Sequence, residues 1–583
     1  MRRTKIVCTL GPSTRDRDTI LRLIESGMDV ARINLSHGSR PEHRSLLDGL
    51  REAARTSGGQ VAVLLDGQGP EVRLGRFASG PVCLEEGALF VLAFREGLGD
   101  SGIAYVNSPG LAREIGPGQR ILVDDGNVVL LAEGIQGDEV HCRVIGGGWV
   151  SAGKKVSMPG VSLPVPYISS QDASDIQFAA QEGADFFAAS FVRNSGDVIS
   201  VKRVLEQSGG TADVIAKIET RQALEDLDNI LKVADGLMVA RGDLGVELEP
   251  EEVPLAQKEI IARCNARGKP VITATQMLES MVAKTRPTRA EASDVANAIL
   301  DGTDAVMLSA ETAVGEHPVE ACAMMARIAA RAESALRHED ILHYLRRETR
   351  LASVTEAISY ATCAMAADLG AKAIITATTS GHTARMVAKY RPVAPVVGAT
   401  PDETVLRKLL LVWGVKPLQV GRVAGTDQMI QDAIGAALKA KTINQGDLVV
   451  LSAGIPVGVP GTTNMIKVHT VGDVLLRGTG IGLSSASGMA RLAKRVEDAC
   501  ALVPGEVLVA TGTDREYTPY MEKASAIITE EAGLTSHAAI VGLSLGIPVV
   551  VGARGAMSLL HDGMEVTVDA SAGLVYRGKA TVL

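Results

Sequence analysis

VIAKIETRQALEDLDNILKVADGLMVARGDLG, residues 214–245, is the stretch that decides the architecture. Two apolar runs, 214–218 and 236–240, break into charge at their C-terminal ends: Lys217 with Glu219, then Arg241 with Asp243. A β-branched, apolar run that ends in charge reads as a buried parallel strand delivering side chains to a site at its C-terminal end. Two carboxylates on separate strand ends can share one divalent cation, and a lysine between them can face the anion that the cation holds. The same residues also fit a buried ion pair that serves only the core. Buried ionisable groups concentrate at functional sites, which favours the first reading.

Similar runs recur on both sides: KIVCTLGPS (5–13), DVARINLSHG (29–38), VAVLLDGQGPEVR (61–73), DFFAASFVR (185–193), PVITATQML (270–278) and AVMLSAET (305–312). With the central pair they make eight. Amphipathic helical patterns lie between most of them, among them 18–27, 198–209, 255–268 and 289–300. Strand–helix alternation repeated eight times predicts a (β/α)₈ barrel, whose chemistry sits at the C-terminal strand ends. Those are the ends that carry polar residues here.

The third and fourth runs lie too far apart for one helix. The Gly-rich alternating segments between them (88–96, 120–134, 139–148) predict a small inserted β-barrel domain, placed to act as a lid. After the eighth run, a helix (319–337) leads through a charged connector (338–353) into further βα units, which predict a mainly parallel sheet covered by helices. The composition changes again near Leu475. The resulting division is a barrel over 1–69 and 158–340, a lid over 70–157, an α/β domain over 341–473 and a last domain over 474–583.

Lys plus Arg number 59 against 68 Asp plus Glu, a net charge of −9, which argues against nucleic acid as a partner. The seven cysteines form no CxxC pair and read as reduced thiols packed as small apolar residues. No signal peptide or run of ~20 apolar residues is present, so the expectation is a cytoplasmic protein with no membrane partner.

TKIVCTLGPS, VARINLSHGS, GPEVR, AASFVR, IAKIE, MVARGDLGVE, TATQMLESM, PTRAE and NAILDGTDAVMLSAET occur in this order and resemble the pyruvate kinase family over residues 4 to about 470. The tail resembles the swivelling phosphohistidine domain of phosphoenolpyruvate-utilising enzymes, through LTSHAAIVGLSLGIPVVVG.

The resemblance implies phosphoryl transfer from phosphoenolpyruvate to ADP, giving ATP and pyruvate, by a homotetramer. It implies Glu219 and Asp243 as ligands of Mg²⁺ (or Mn²⁺), and Lys217 as the group that neutralises the phosphoryl in flight and the enolate. Arg32 and Arg73 would grip phosphate oxygens. Gly242, Asp243 and the Thr275 hydroxyl would hold the substrate carboxylate. Asn34, Ser36, Asp66 and the Gly67 carbonyl match a K⁺ site, although the family usually has threonine and lysine where Gly67 and Gln68 stand. Glu71 matches members that require potassium. Asn34, His37, Arg73 and Lys154 would face the nucleotide, yet Lys155 and Ser157 replace the glycine and asparagine that usually follow that lysine. Ser309 and Glu311 match a proton-relay region. Thr379, Ser380, Gly381, His382 and Thr383 match the loop for a phosphorylated effector, and His537 the phosphorylated histidine.

Two readings compete with the one the resemblance implies: a metal-dependent barrel lyase acting on pyruvate enolate, and an inactive sensor that binds sugar phosphate through 378–383 and signals through the tail. The lyase has no use for a lid or Arg73, and the sensor no use for an intact Lys217, Glu219, Asp243 and Thr275 set.

Overall fold

The apolar runs become short, almost wholly buried strands because each is sheathed by helices on one side and packed on its neighbours across the barrel on the other. The computed structural model describes residues 2–161, 166–348, 353–423, 425–455 and 463–582. Strands β1 (Lys5–Thr9), β2 (Val30–Asn34), β3 (Ala62–Asp66), β4 (Phe186–Ala189), β5 (Asp213–Ile218), β6 (Gly236–Ala240), β7 (Val271–Ala274) and β8 (Ala305–Leu308) close into a barrel, with β1 pairing β8. All eight pairings are parallel.

Local signals set the helices between them. Helix α1 (Arg17–Ser26) starts where the Asp16 side chain accepts from the Thr19 amide and ends at Gly27, whose φ of 116° few other residues adopt. Helix α2 (Arg40–Ser57) opens on a Ser39–Glu42 capping box.

The barrel interior is filled by Val7, Val30, Leu64, Phe186, Ile215, Met238, Ile272 and Met307, and Leu411 belongs to the same core. Leu411 comes from Glu403–Val415, a stretch that groups with residues 1–341 rather than with its sequence neighbours. It is riveted there by ion pairs from Arg407 to Asp185 and from Lys408 to Asp213, and by the Trp413 amide donating to Asp304. The inserted domain forms a six-stranded and a two-stranded sheet around one core that includes Phe90, Phe94, Leu84 and Val150.

In the second unit, strands β9 (Ala373–Ala377), β10 (Val396–Thr400), β11 (Val415–Gln419), β12 (Leu448–Ala453) and β13 (Met465–Thr470) lie in the order β11-β10-β9-β12-β13. The antiparallel edge strand β13 follows the last element expected from sequence. The stretch read as a charged connector is partly a helix, His338–Glu348. Its Ile341, Leu342 and Leu345 recur at helical spacing among charges; residues 349–352 fall outside the described set. The tail is an eight-stranded sheet, parallel at its centre, and its end returns to the α/β part where the Thr581 amide donates to the Gly446 carbonyl at 2.7 Å. No described helix is long and apolar enough to cross a membrane.

Leu411 is fully buried and Leu410 only partly. Leu411→Ala is expected to destabilise the barrel by about 2–4 kcal/mol and Leu410→Ala by clearly less, read from the denaturant midpoint of the barrel transition. Equal shifts would remove Leu411 from the barrel core.

Candidate active site

The strands deliver their terminal side chains into one cavity of about 150 Å³ lined by Arg32, Asn34, Ser36, His37, Gly67, Gln68, Glu71, Arg73, Ser190, Lys217, Glu219, Asp243 and Thr275. At its centre the Lys217 side chain is 12 % exposed, with Nζ 2.8 Å from Ser190 Oγ, 2.9 Å from Glu219 Oε1 and 3.3 Å from Asp66 Oδ1. Burial works to lower its pKa, but Asp66 and Glu219 outweigh that and hold the ammonium above its ordinary range. Asp66 is the reciprocal case. Burial works to raise it, yet Lys217 and Arg32 keep it below the usual carboxylate range. Arg32 donates through Nε to Asp66 Oδ2 at 2.7 Å and through Nη1 to Thr9 Oγ1 at 2.9 Å, which fixes its guanidinium plane.

Glu219 is different. Burial, only partly offset by Lys217, pushes its carboxyl up to about 7, and the Asp243 charge adds to the rise. Oε2 accepts from the Phe191 amide at 2.6 Å, which requires Phe191 to adopt φ 53°, an outlying conformation for a bulky residue. Oε1 is buried and has no hydrogen bond among the described residues, although Lys217 stands close. Asp243 sits in the first turn of α3 (Arg241–Glu247); burial opposes its charge, but Lys155 and Lys217 hold it below the ordinary range.

Two carboxylates, one with a buried oxygen that has no hydrogen bond among the described residues beyond its Lys217 ion pair, fit a hard divalent cation. Among the described residues no cluster of three His, Cys, Asp or Glu occurs, so such a cation would complete its shell with water and substrate oxygens, as magnesium does.

Thr275 Oγ1 accepts from the Gly242 amide at 2.8 Å, so that amide is already engaged. Thr275 and Gln276 both have positive φ (67° and 55°), and Arg241, paired with Asp294, clamps the Thr275 carbonyl at 2.6 Å. Asn34 Oδ1 accepts from the Ser36 amide at 3.0 Å, and the Gly67 carbonyl accepts from Ser190 Oγ at 2.7 Å. With Asp66, the register partner of Asn34, these are oxygen acceptors that keep unused lone pairs. A Cβ on Gly67 would come within 2.7 Å of the Phe187 ring, which fills the space that the family's usual threonine side chain needs.

Arg73 reaches the cavity held by Glu71 at 2.5 Å and by the Gly153 carbonyl at 2.7 Å. Lys154 pairs with Asp124 at 2.8 Å within the lid and is not brought to the cavity, whereas Lys155 bonds Asp243. His37 is exposed at the rim. Ser309 and Glu311 do not line the cavity; Glu311, its pKa raised by burial, accepts from the Leu278 and Ser309 amides. In the second unit Thr379, Ser380 and Gly381 lead into α4 (His382–Ala388), and Thr383 Oγ1 lies 2.8 Å from Thr463 Oγ1. His537 opens α5 (His537–Leu545), with Nδ1 3.0 Å from Thr513 Oγ1. Sequence reasoning missed Ser190, the Phe191 amide and the reach of Lys155. AASFVR, which ends beside a strand, was the signal for the first two.

A barrel mouth with paired carboxylates, a buried ammonium and two oriented guanidiniums is built to hold an oxyanion against a cation, the equipment of a metal-assisted phosphotransferase. Family models agree with that class: the pyruvate kinase barrel domain matches residues 1–322, the pyruvate kinase alpha/beta domain 356–469, and the mobile domain of PEP-utilising enzymes 502–573. A pyruvate kinase of Geobacillus stearothermophilus is 50 % identical over 586 residues, covering 100 % of both chains. Pyruvate kinase 2 of a Synechocystis strain is 46 % identical, covering 99 % of this chain and 98 % of its own. The crystal structure of a pyruvate kinase from Cryptosporidium parvum superposes with a TM-score of 0.77 at 36 % identity, covering 80 % of this chain and 96 % of its own. The chain belongs to the pyruvate kinase family, and its activity is that family's phosphoryl transfer.

Gly67→Thr is expected to lower stability and substrate affinity, because the added atoms force the buried Phe187 ring out of its packed position. Adding Phe187→Ala should restore substrate affinity. If Gly67→Thr alone behaves as wild type in thermal unfolding and KM, the steric pairing is wrong.

Proposed function

We propose that this cavity transfers the phosphoryl group of phosphoenolpyruvate to ADP, giving ATP and an enolate that becomes pyruvate on gaining a proton. The observation that carries the assignment is the Lys217 ammonium, kept charged in a buried mouth and facing the Glu219–Asp243 pair. Arg32 and Arg73 grip the phosphate oxygens, since guanidinium forks match that geometry. Lys217 neutralises the phosphoryl in transit and then the enolate, a charge that develops only in the transition state. The Thr275 hydroxyl and the turn at Gly242 and Asp243 orient the substrate carboxylate by exchanging their bond to each other for bonds to it, and Asn34 and His37 face the nucleotide, joined by Lys154 once it leaves Asp124. Ser309 and Glu311 belong to the path that returns the proton.

Glu219 and Asp243 would hold Mg²⁺ or Mn²⁺, which supplies charge neutralisation to the phosphoryl oxygens when bound. Asn34, Ser36, Asp66 and the Gly67 carbonyl would hold K⁺, and Glu71, which orients Arg73, links that requirement to the phosphate grip.

The lid (70–157) excludes water from the barrel (1–69 and 158–340). The α/β domain (341–473) takes a phosphorylated effector at 379–383, and the last domain (474–583) has no step in the cycle. A phosphohistidine shuttle through His537 needs a supplying and an accepting site, and the barrel is committed to direct transfer. The family resemblance supports a homotetramer, and the seven free cysteines support a reducing, cytoplasmic setting.

A rate assay with phosphoenolpyruvate and ADP, with and without potassium, tests the reading. Lys217→Met should cut kcat by at least ~10²-fold while metal binding persists, because the lost charge acts mostly in the transition state. Near-wild-type turnover in that variant would remove Lys217 from the mechanism. Ser380→Ala with Thr383→Ala should abolish activation by whichever sugar phosphate or AMP activates the wild type, with maximal turnover nearly unchanged. Activation surviving at full strength sinks the effector assignment.

A further inference from the structure

Lys155 stands where the family motif usually has a glycine, and its side chain does what a glycine could not. It lies at the lid's junction with the barrel, in a bridge with Arg73 just before the strand Val156–Ser157. Lys154, beside it, is turned into the lid onto Asp124. Lys155 turns the other way: its ammonium bonds Asp243 Oδ1 and rests 4.4 Å from the centre of the Phe191 ring, with the side chain 14 % exposed. Phe191 in turn gives its amide to Glu219. One lysine from the lid therefore touches one carboxylate of the cation pair and covers the residue that positions the other. Among the described residues the other ion pair between lid and barrel, Arg120 with Glu249 at 3.4 Å, is exposed on both sides and adds little.

We propose that Lys155 is a positioning residue that stands in for the divalent cation, latching the lid onto Asp243 in the metal-free enzyme and yielding that carboxylate when the cation binds. Two positive charges cannot both sit at contact distance from Asp243 Oδ1 without strong repulsion. A cation that takes this oxygen displaces the ammonium, and its apparent affinity is reduced by the competition. The long, flexible lysine stem lets the displaced ammonium move without unfolding the lid. Metal occupancy and lid contact are thereby coupled through one side chain.

The inference rests on the reading of Asp243 as a cation ligand, and the test separates the two. Mn²⁺ is titrated into the metal-free, full-length protein without substrates, and free Mn²⁺ is read by electron paramagnetic resonance. Lys155→Met is expected to bind Mn²⁺ about fivefold more tightly than wild type, the scale of losing one partly buried competing ion pair. Lys155→Gly should do the same, and Lys155→Arg should stay near wild type. Asp243→Asn should weaken binding in every background. Unchanged or weaker binding in both Lys155→Met and Lys155→Gly, with Asp243→Asn still weakened, overturns the latch and leaves the ligand assignment intact. Unchanged binding in Asp243→Asn overturns the ligand assignment and the latch together.

Discussion

An ammonium sunk in a barrel mouth stays charged only if carboxylates face it, and this requirement organises the whole C-terminal end of the barrel. Arg32, Asp66, Lys217 and Glu219 alternate in sign, each within ion-pair distance of the next. The alternation fails between Glu219 and Asp243, where two negative groups meet, before Lys155 restores it. Removing one member of such a row leaves its neighbour buried and uncompensated, which costs far more than an exposed pair is worth. The break in alternation is where the surroundings ask for another positive charge. It is also where burial drives a carboxyl pKa up to about 7 and where, among the described residues, a buried oxygen has only the Lys217 ion pair for company.

The backbone bends to serve that row. Phe191 and Thr275 take left-handed conformations that bulky and β-branched residues avoid. In each case a specific bond depends on it: the Phe191 amide on Glu219, and the Thr275 carbonyl in the grip of Arg241. Arg241 looked like a site residue because it ends an apolar strand. It is instead a structural clamp beneath the site, held by Asp294.

Much of this was legible because strand ends announce themselves: an apolar run that stops at Lys217 and Glu219, or at Asp243, leaves few places for those charges except the barrel mouth. What stayed hidden depends on facts that one segment cannot carry. Neighbouring residues at a strand edge point to opposite faces, so Lys154 and Lys155 are equivalent as letters and opposite as side chains. Gly67 departs from the family pattern for a reason found at Phe187, one barrel strand away in space and 120 positions away in sequence. The helix His338–Glu348 was masked by its density of charge, although its apolar residues keep helical spacing.

The stretch Glu403–Val415 has a consequence for the order in which the molecule can be made. Strand β8 ends at Leu308, yet Leu411, part of the barrel's inner core, is translated about a hundred residues later, on the order of 5–20 s at ordinary elongation rates. In that interval the eight strands can pair but the core beneath them lacks a side chain, and Asp185, Asp213 and Asp304 await partners that have not left the ribosome. The barrel is thus finished from downstream, and a gene cut at a boundary that looks natural in the sequence would yield an unsealed one.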